Sequence, residues 1–339
     1  MYYDTYRGKR GGRRGDRRQR ERGGGCTGWL LGMLLKLLAL LRVVAVLAAV
    51  VLYAIPPSFM NIEPESAELS LTDGLPGDRV NILLLGVDFL EDGQQRSDAM
   101  MVASIGYNSV RLASVLRDTL VDIPGYGEHK LNSAYAYGGP ELAMRVVNET
   151  YGLNITNYIV VDFSTMVDLV DAIGGVDVEV EDKELEQLNK YAYDTFRKIN
   201  AVNPEKYGHY INSQPYTQSG NLHLNGLFAT GYSRIRMIDS DYVRTSRQRR
   251  VLTAAVAQIR SNAWNPLMYV RLLQLYQDSV KTNLSLPELI SLGEKLLVAG
   301  GIETVRMPQN EFIQDNNSSI RIIDPQGNRA AMRAFLYGE

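Results

Sequence analysis

A long apolar run near the N-terminus decides how the rest of this chain can be arranged. Residues 28–55 read GWLLGMLLKLLALLRVVAVLAAVVLYAI and contain two charged side chains, Lys36 and Arg42. At about 1.5 Å of helical rise per residue, this run is long enough to cross a hydrocarbon core of about 30 Å. It is also longer than the apolar part of a cleaved signal peptide. The sequence therefore predicts one transmembrane helix over residues 28–55.

The distribution of charge predicts the orientation of this helix. Residues 1–25 hold nine Lys or Arg and three Asp or Glu, and residues 26–55 add two basic residues and no acid. Basic flanks stay on the cytoplasmic side of a membrane, and a tail this polar cannot bury a core. We therefore predict that residues 1–27 are a cytoplasmic, basic, disordered tail. The protein is then a single-pass protein of the cell membrane, and everything after residue 55 is extracellular.

The exported part is predicted to be a short stalk followed by an α/β domain. Four prolines indicate a stalk at 56–78. The domain is predicted at 79–310, with 311–339 as a C-terminal extension, and it opens with the apolar run Val80–Asp88, typical of a strand buried on both faces. Further strands are predicted at 100–105, 110–115, 158–162, 176–180 and 304–307, and helices at 141–149, 166–173, 243–260, 266–280 and 286–298.

Strands interleaved with helices indicate an α/β/α sandwich with a central mixed β-sheet. Residues 182–224 are polar and poorly periodic, so they are predicted to be an excursion from this core, with a helix near 184–198. The single cysteine, Cys26, precedes the apolar run, which excludes disulfides, thiolate metal sites and a cysteine nucleophile from the exported domain.

Arginines are concentrated in the stretch YSRIRMIDSDYVRTSRQRRV, residues 232–251. The alternation of Arg234 and Arg236 predicts that they share one face of a strand. A four-residue apolar spacing predicts a helix from Val243 on, with Arg244, Arg247 and Gln248 on one face of its opening turn.

Basic residues are disfavoured at the positive end of a helix dipole unless an anion binds there. After residue 55 the chain has 25 basic and 35 acidic residues, so this cluster indicates a local site for a phosphate or pyrophosphate rather than a nucleic-acid surface. A solvated basic face or a set of structural salt bridges is the alternative.

Other charged residues follow the predicted strands. They are Asp88 at the end of the first strand, Arg96 and Asp98 in the loop entering the next, Arg117 and Asp118 after the third, and Lys130. Carboxylates are suitable ligands for Mg²⁺, which is usually bound by one or two of them together with substrate phosphates. Each arginine guanidinium can bind two phosphate oxygens at once. The chain has no G-x-x-x-x-G-K-[ST], H-E-x-x-H or G-x-S-x-G motif, which excludes the commonest nucleotide-binding, zinc-protease and serine-hydrolase signatures.

Several segments together resemble one known family. In chain order they are NILLLGVD, RSDAMM, SVLRDTLVDIPG, KLNSAYAYGG, YIVVDFSTMVDLVDAIGGVDVEV and YSRIRMIDSDYVRTSRQRR. The chain resembles the LytR-CpsA-Psr family of exported cell-wall glycopolymer phosphotransferases. This resemblance implies transfer of a teichoic acid, capsule or other glycopolymer from a polyprenyl-pyrophosphate carrier to a peptidoglycan sugar hydroxyl, which forms a phosphodiester with the help of Mg²⁺. It also implies an α/β/α fold with an apolar tunnel for the lipid.

The resemblance assigns roles to individual residues. The implied magnesium ligands are Asp88 and Asp98, and the implied catalytic residues are Arg117, Asp118, Asp241 and Arg244. The implied pyrophosphate-binding residues are Arg96, Arg117, Lys130, Arg234, Arg236, Arg244, Arg247 and Gln248. The chain departs from the family pattern at Leu116, Ala99 and Arg249, where proline, threonine and glutamine are usual.

Three other functions fit parts of the sequence. The same residues would serve a hydrolase that splits polyprenyl pyrophosphate with water as the acceptor. A non-enzymatic, membrane-tethered regulator would act through the arginines. A passive glycan-binding module would account for the 20 tyrosines but not for the clustered Arg and Asp residues.

Overall fold

The computed structural model describes residues 69–89, 95–238, 241–316 and 318–338. The strands are Val80–Phe89 (β1), Gln95–Ile105 (β2), Val110–Val115 (β3), Thr119–Ile123 (β4), Gly127–Lys130 (β5), Asn157–Val161 (β6), Val176–Val180 (β7), Gly220–Leu224 (β8), Lys281–Thr282 (β9), Ile302–Met307 (β10), Ile313–Asp315 (β11) and Ile320–Ile322 (β12). The helices are Ser133–Tyr151 (α1), Phe163–Ile173 (α2), Asp182–Val202 (α3), Pro204–Tyr207 (α4), Gly226–Arg234 (α5), Asp241–Ser261 (α6), Pro266–Asp278 (α7), Leu286–Val298 (α8) and Pro325–Tyr337 (α9). Short 3₁₀ turns lie at Gly208–Asn212 and Asn310–Phe312.

The main sheet has β1 near its centre. Among the described residues its strand order is β10-β3-β2-β1-β6-β9. β1 pairs antiparallel with β2 and parallel with β6, so the sheet is mixed, as predicted. Successive side chains of a strand point to opposite faces. Accordingly, Leu83 and Leu85 of β1 pack on one face of the sheet and Ile82 packs on the other, and the two faces together form the core of the main sheet.

Helices cover both faces of this sheet. On one face, α1 and α9 pack against it, with Met144 and Leu336 among the buried residues. On the other face, α6 and α8 cover it through Leu252 and Leu292. The predicted α/β sandwich with a central mixed sheet is therefore confirmed. The predicted helix at 141–149 is the second half of α1, which bends at Gly138 and Gly139.

A second core lies beside the sheet. It is formed by the antiparallel pair of β7 and β8 together with α2, α3, α5 and α6. Helix α3 contributes Leu188 and Ala192, both buried. The predicted helix near 184–198 is confirmed as α3. The prediction that residues 182–224 leave the core is wrong, because α3 carries a buried stripe that packs on α5.

A smaller sheet has the order β11-β12-β4-β5. Residues 313–322 supply two of its strands, and α9 then returns to the main sheet. The segment predicted as a C-terminal extension is thus integrated into the domain. The predicted strand containing Arg234 and Arg236 is wrong, because Arg234 ends helix α5 and Arg236 follows in a loop.

The predicted tail, the transmembrane segment 28–55 and most of the stalk lie outside the described residues. In the part of the chain that is described, no helix is both long enough and apolar enough to span a bilayer.

Candidate active site

The predicted loop that contains Arg96 and Asp98 is wrong, because both residues belong to β2. A β-bulge lies at Asp98, near the start of this strand. Gly86 pairs with Ala99 and Val87 pairs with Ser97, so Asp98 is the extra residue between the two pairs. Bulges of this kind turn a side chain away from the ladder. A Cβ atom at Gly86 would lie only 3.0 Å from the Cβ atom of Ala99, so glycine permits the close approach of β1 and β2 here.

Arg117 links Asp98 to the loop between β3 and β4. Its Nη1 lies 2.7 Å from Oδ1 of Asp98, and its Nε lies 3.3 Å from Oδ2 of Asp118. The other oxygen of Asp118 accepts a hydrogen bond from Nζ of Lys130 at 2.8 Å. The loop itself is fixed because the Thr119 hydroxyl and backbone N–H both donate to the carbonyl of Leu116. Positive and negative side chains therefore alternate from β2 to the end of β5.

Helix α6 adds Arg244 to this arrangement. The residue is 3% exposed, and its Nη2 donates to the backbone carbonyl of Asp98 at 3.2 Å. Five residues predicted from the sequence are thus connected, and we call them the central cluster: Asp98, Arg117, Asp118, Lys130 and Arg244. They come from four separate segments of the chain, as a preorganised anion site requires.

The environment of Asp118 holds its carboxyl in the ionised form. Burial by itself raises the pKa of Asp118. The hydrogen bond from Lys130 and the charges of Arg117 and Lys130 outweigh burial, so the pKa lies below its usual value. A carboxylate with a depressed pKa is a weak base, so the geometry favours Asp118 as the group that orients Arg117 and Lys130.

Asp88 has a different partner. Nζ of Lys198, on α3, lies 3.2 Å from Oδ1 and 3.0 Å from Oδ2 of Asp88. The same ammonium group lies 5.0 Å from the centre of the Phe163 ring, and the guanidinium of Arg234 lies 4.2 Å from it. Arg234 also donates to Asp194 at 2.8 Å. Lys198 and Arg234 are therefore held by carboxylates and by one shared aromatic ring.

Arg247 lies inside the protein. It is fully buried, and its Nε donates to Oε1 of Glu184, which is also buried, at 2.7 Å. Its Nη1 donates to the carbonyl of Ile235 at 3.1 Å. The Tyr232 hydroxyl donates to the second carboxylate oxygen of Glu184 and accepts from Arg250. This network joins α3, α5 and α6 and sets the position of the helix that carries Arg244.

Arg249 is directed towards the sheet. Its Nη1 donates to the hydroxyl of buried Ser114 on β3 at 2.9 Å. Burial, and then the charges of Arg306 and Arg250, lower its pKa. Arg249, at the position where the resemblance leads us to expect glutamine, thus adds a positive charge next to β3, the strand that precedes Arg117.

Four other predicted site residues are not members of the central cluster. Arg96 and Arg236 are exposed, and Gln248 is half-buried on α6. Asp241 is the first residue of α6, and its side chain lies outside the described part of the structure. The individual roles of these residues, and of the central cluster, stay predictions.

The described carboxylates and histidines show which side chains could coordinate a metal ion. Among the described residues, no group of three or more His, Cys, Asp or Glu side chains is placed to hold a metal ion. Asp88 and Asp98 lie on adjacent strands, and each faces a cationic side chain. Two carboxylates suit Mg²⁺ when substrate phosphates complete its coordination, so the residues fit in type.

Sequence reasoning missed Lys198 and Glu184. Lys198 follows Asp194 by four residues on α3, a spacing that puts both on one helical face. Glu184 gave no such signal, because a carboxylate is normally exposed and its buried partner Arg247 lies 63 residues away.

Sequence comparisons find a matching protein family and several related proteins. A family model described as the LytR_cpsA_psr family matches residues 60–332. Polyisoprenyl-teichoic acid--peptidoglycan teichoic acid transferase TagU of Enterococcus faecalis is 32% identical over 252 residues, which cover 71% of this chain and 74% of that protein. Regulatory protein MsrR of Staphylococcus aureus is 28% identical over 269 residues, which cover 76% of this chain and 74% of that protein.

A solved structure shares the architecture. The structure of the LytR-CPS2A-psr family protein YwtF (TagT) with bound octaprenyl pyrophosphate lipid matches with a TM-score of 0.57. The match covers 81% of this chain and 96% of that one at 22% identity. At this level of identity the likeness concerns the fold.

Proposed function

This protein belongs to the LytR-CpsA-Psr family, and on that basis we propose that it is a membrane-anchored extracellular glycopolymer phosphotransferase. Its donor is a glycopolymer, such as a teichoic acid or a capsule polymer, on a polyprenyl-pyrophosphate carrier. Its acceptor is a sugar hydroxyl of peptidoglycan. The observation that carries the proposal is the central cluster, in which Arg117, Lys130 and Arg244 converge on Asp98 and Asp118 from separate segments.

The reaction is a displacement at phosphorus. The acceptor hydroxyl oxygen forms a bond to the phosphorus that bears the glycan, and the bond from that phosphorus to the bridging oxygen breaks. Polyprenyl phosphate leaves, and the proton of the hydroxyl goes to a base. Phosphoryl transfer depends mainly on positioning and charge neutralisation, which is what guanidinium and ammonium groups held by carboxylates provide.

The chain's own residues divide this work. Arg117 and Lys130 bind phosphate oxygens, and Asp118 fixes the direction of both. Arg244, almost fully buried, adds a charge that water does not screen. Asp88 and Asp98 would hold Mg²⁺, which supplies further neutralisation of phosphate charge when it is bound. Asp241 stays the candidate base.

The predicted anchor explains how donor and enzyme meet. A polyprenyl carrier lies in the membrane, and a helix over 28–55 would hold the domain beside it. Tethering both to one surface raises their effective concentration. The pairing of the described arginines with carboxylates also favours a phosphate site over an open basic surface for nucleic acid.

The test uses purified full-length protein, a lipid-linked glycan with a labelled sugar, and peptidoglycan. We expect label to become attached to peptidoglycan through a phosphodiester and polyprenyl phosphate to be released in equal amount. Equal release of the labelled glycan without peptidoglycan would instead identify a hydrolase. Folded protein with no turnover in either assay would favour the regulator.

A further inference from the structure

Two tyrosine rings are stacked on the surface next to the central cluster. The centres of the Tyr126 and Tyr137 rings are 4.3 Å apart, and their planes differ by 10°. His129 meets Tyr137 edge-on, with a centre distance of 5.4 Å. Tyr126 is 50% exposed and Tyr137 is 38% exposed. One face of Tyr126 lies on Tyr137, and half of the surface of the residue remains exposed.

Backbone geometry presents this pair. Tyr126 lies between Gly125 and Gly127, whose φ angles of +83° and +78° are favourable only for glycine, and its N–H donates to the carbonyl of Ile123. Tyr137 precedes the bend of α1, where Gly139 has a φ of +66°. A tight turn and a helix bend thus bring together two exposed rings that are not among the buried core residues. This arrangement needs an explanation other than apolar burial.

The position of the rings connects them to the site. β5 runs from Gly127 to Lys130, and Lys130 binds Asp118 of the central cluster. From Tyr126 to Lys130 the strand spans about 13 Å. A short stretch of glycan attached at the reacting phosphate, or carrying the reacting hydroxyl, would therefore lie across the tyrosines.

The chemistry of the surface fits a sugar ring. The C–H bonds on the face of a pyranose are slightly positive, and the face of an aromatic ring is negative. The hydroxyl groups at the rim of a sugar both donate and accept hydrogen bonds, so they can pair with polar side chains. Next to the rings, Glu128 and Arg321 form a two-point ion pair, with both distances 2.8 Å, and His129 adds a ring nitrogen.

Resting on the proposed function, we propose that Tyr126 and Tyr137 form a sugar platform on which a pyranose ring of the glycan stacks during transfer. The ring belongs either to peptidoglycan or to the polymer on the donor. Both have the same chemistry, and the experiment separates them.

The test measures binding and uses full-length protein in detergent micelles. One probe is a peptidoglycan disaccharide fragment, and the other is a lipid-free oligosaccharide cut from the donor. A sugar stacked on an aromatic face shows its ring C–H protons shifted upfield in NMR. We expect this shift for at least one probe, and the probe that shows it identifies the source of the sugar.

Variants assign the effect to the platform. Tyr126→Leu keeps an apolar side chain in the turn and should weaken binding of that probe about tenfold and abolish the shift, whereas Tyr126→Phe and Tyr126→Trp should keep both. In the transfer assay, Tyr126→Leu should raise KM for the matching glycan about tenfold with little change in kcat. Tyr107→Ala is the matched control, because Tyr107 is 75% exposed at the opposite end of β2.

The outcomes separate the platform from the proposed reaction. Transfer that proceeds in Tyr126→Leu with unchanged KM values, and no upfield shift with either probe, would overturn the platform and leave the transferase standing. Sugar binding that depends on Tyr126 in a protein without transfer activity would keep the platform and overturn the transferase.

Discussion

The guanidinium of Arg117 lies between two carboxylates, 2.7 Å from Asp98 and 3.3 Å from Asp118. The side chain is only 11% exposed, so its direction is fixed before a substrate arrives. Loss of one preorganised contact to a developing negative charge typically costs 10²–10³ in kcat. Arg117→Ala should therefore lower the transfer rate by about that factor. Arg117→Lys should recover little, because an ammonium group cannot bind two oxygens side by side.

The matched control for Arg117 is Arg145→Ala. Arg145 also binds a carboxylate, Glu149, but as a partly exposed pair one turn apart on α1. Initial rates of label transfer, with thermal unfolding of each variant, measure the difference. Near-normal turnover in folded Arg117→Ala would remove Arg117 from the site.

Asp118 allows a prediction that depends on pH. Its folded-state pKa is depressed, so its ion pairs stabilise the protein above the unfolded pKa of about 4 and are lost as pH falls through the lower folded value. The difference in Tm between wild type and Asp118→Asn should be constant above about pH 5 and shrink below about pH 4. Between about pH 5 and 8, Asp118→Asn should lower kcat/KM without changing the shape of its pH profile. An acidic limb in that range that disappears in Asp118→Asn would identify Asp118 as the base instead.

Helix α5 shows where prediction from the sequence stops. Five of the six described strands of the main sheet were predictable because runs such as β1 are apolar on both faces, whereas the two-residue strand β9 was not predicted. Helix α5 was not, because two glycines and two aromatic residues lower its helix propensity. In the fold those glycines are needed: a Cβ atom at Gly231 would lie 2.6 Å from the backbone of Ala192 on α3, and one at Gly226 would collide with Val167. Packing between helices therefore overrides local propensity, and this cannot be deduced before the partner helix is known.

The same limit applies to the site. Asp98 lies near the start of β2, Arg117 and Asp118 follow β3, and Lys130 ends β5. Residues at strand ends are where ligands bind in α/β sheets, so a site near these residues could be predicted. The partner of Arg247 could not, because it depends on how α3 packs against α6. Arginines at the start of a helix predict an anion site, and this rule identifies Arg244, a member of the central cluster. The same rule also identifies Arg247, which instead pairs with Glu184 inside the protein.

The Glu184–Arg247 pair predicts how the helices are held. Both side chains are buried, and Glu184 also receives the Tyr232 hydroxyl. Removal of one partner leaves an uncompensated buried charge, which costs about 3–5 kcal/mol. Arg247→Met should therefore lower the free energy of unfolding by about this amount in urea titrations followed by circular dichroism.

Two further variants complete that experiment. Arg247→Met combined with Glu184→Gln should recover part of the loss, because no charge is then left unpaired. Arg321→Ala, in the exposed pair with Glu128, should unfold like wild type. An Arg247→Met protein as stable as wild type but without transfer would show that Arg247 contacts the substrate rather than positioning α6.

Helix α6 joins the two cores of the whole domain. Leu252 packs on the main sheet, whereas its neighbour Val251 belongs to the second core. The same helix carries Arg244 to the bulge of β2 and Arg249 to β3. The site therefore lies where the sheet, the hairpin of β4 and β5, and the second core meet. A change in the packing of either core would move the central cluster.

The domain and its predicted anchor should be separable in function. The described residues contain both cores and, among them, no helix that is both long enough and apolar enough to span a bilayer. A protein that begins at residue 56 should therefore fold, and its central cluster should be intact. With a short-chain, water-soluble pyrophosphate donor, it should react as fast as the full-length protein. With a long-chain donor in liposomes, its rate should fall by about 10² or more, because the effective concentration that tethering provides is lost. Restoring a membrane tether of unrelated sequence before residue 56 should restore the rate, since the argument depends on proximity and not on the sequence of the helix. Equal losses on both donors would show that residues 1–55 act on the catalytic domain itself.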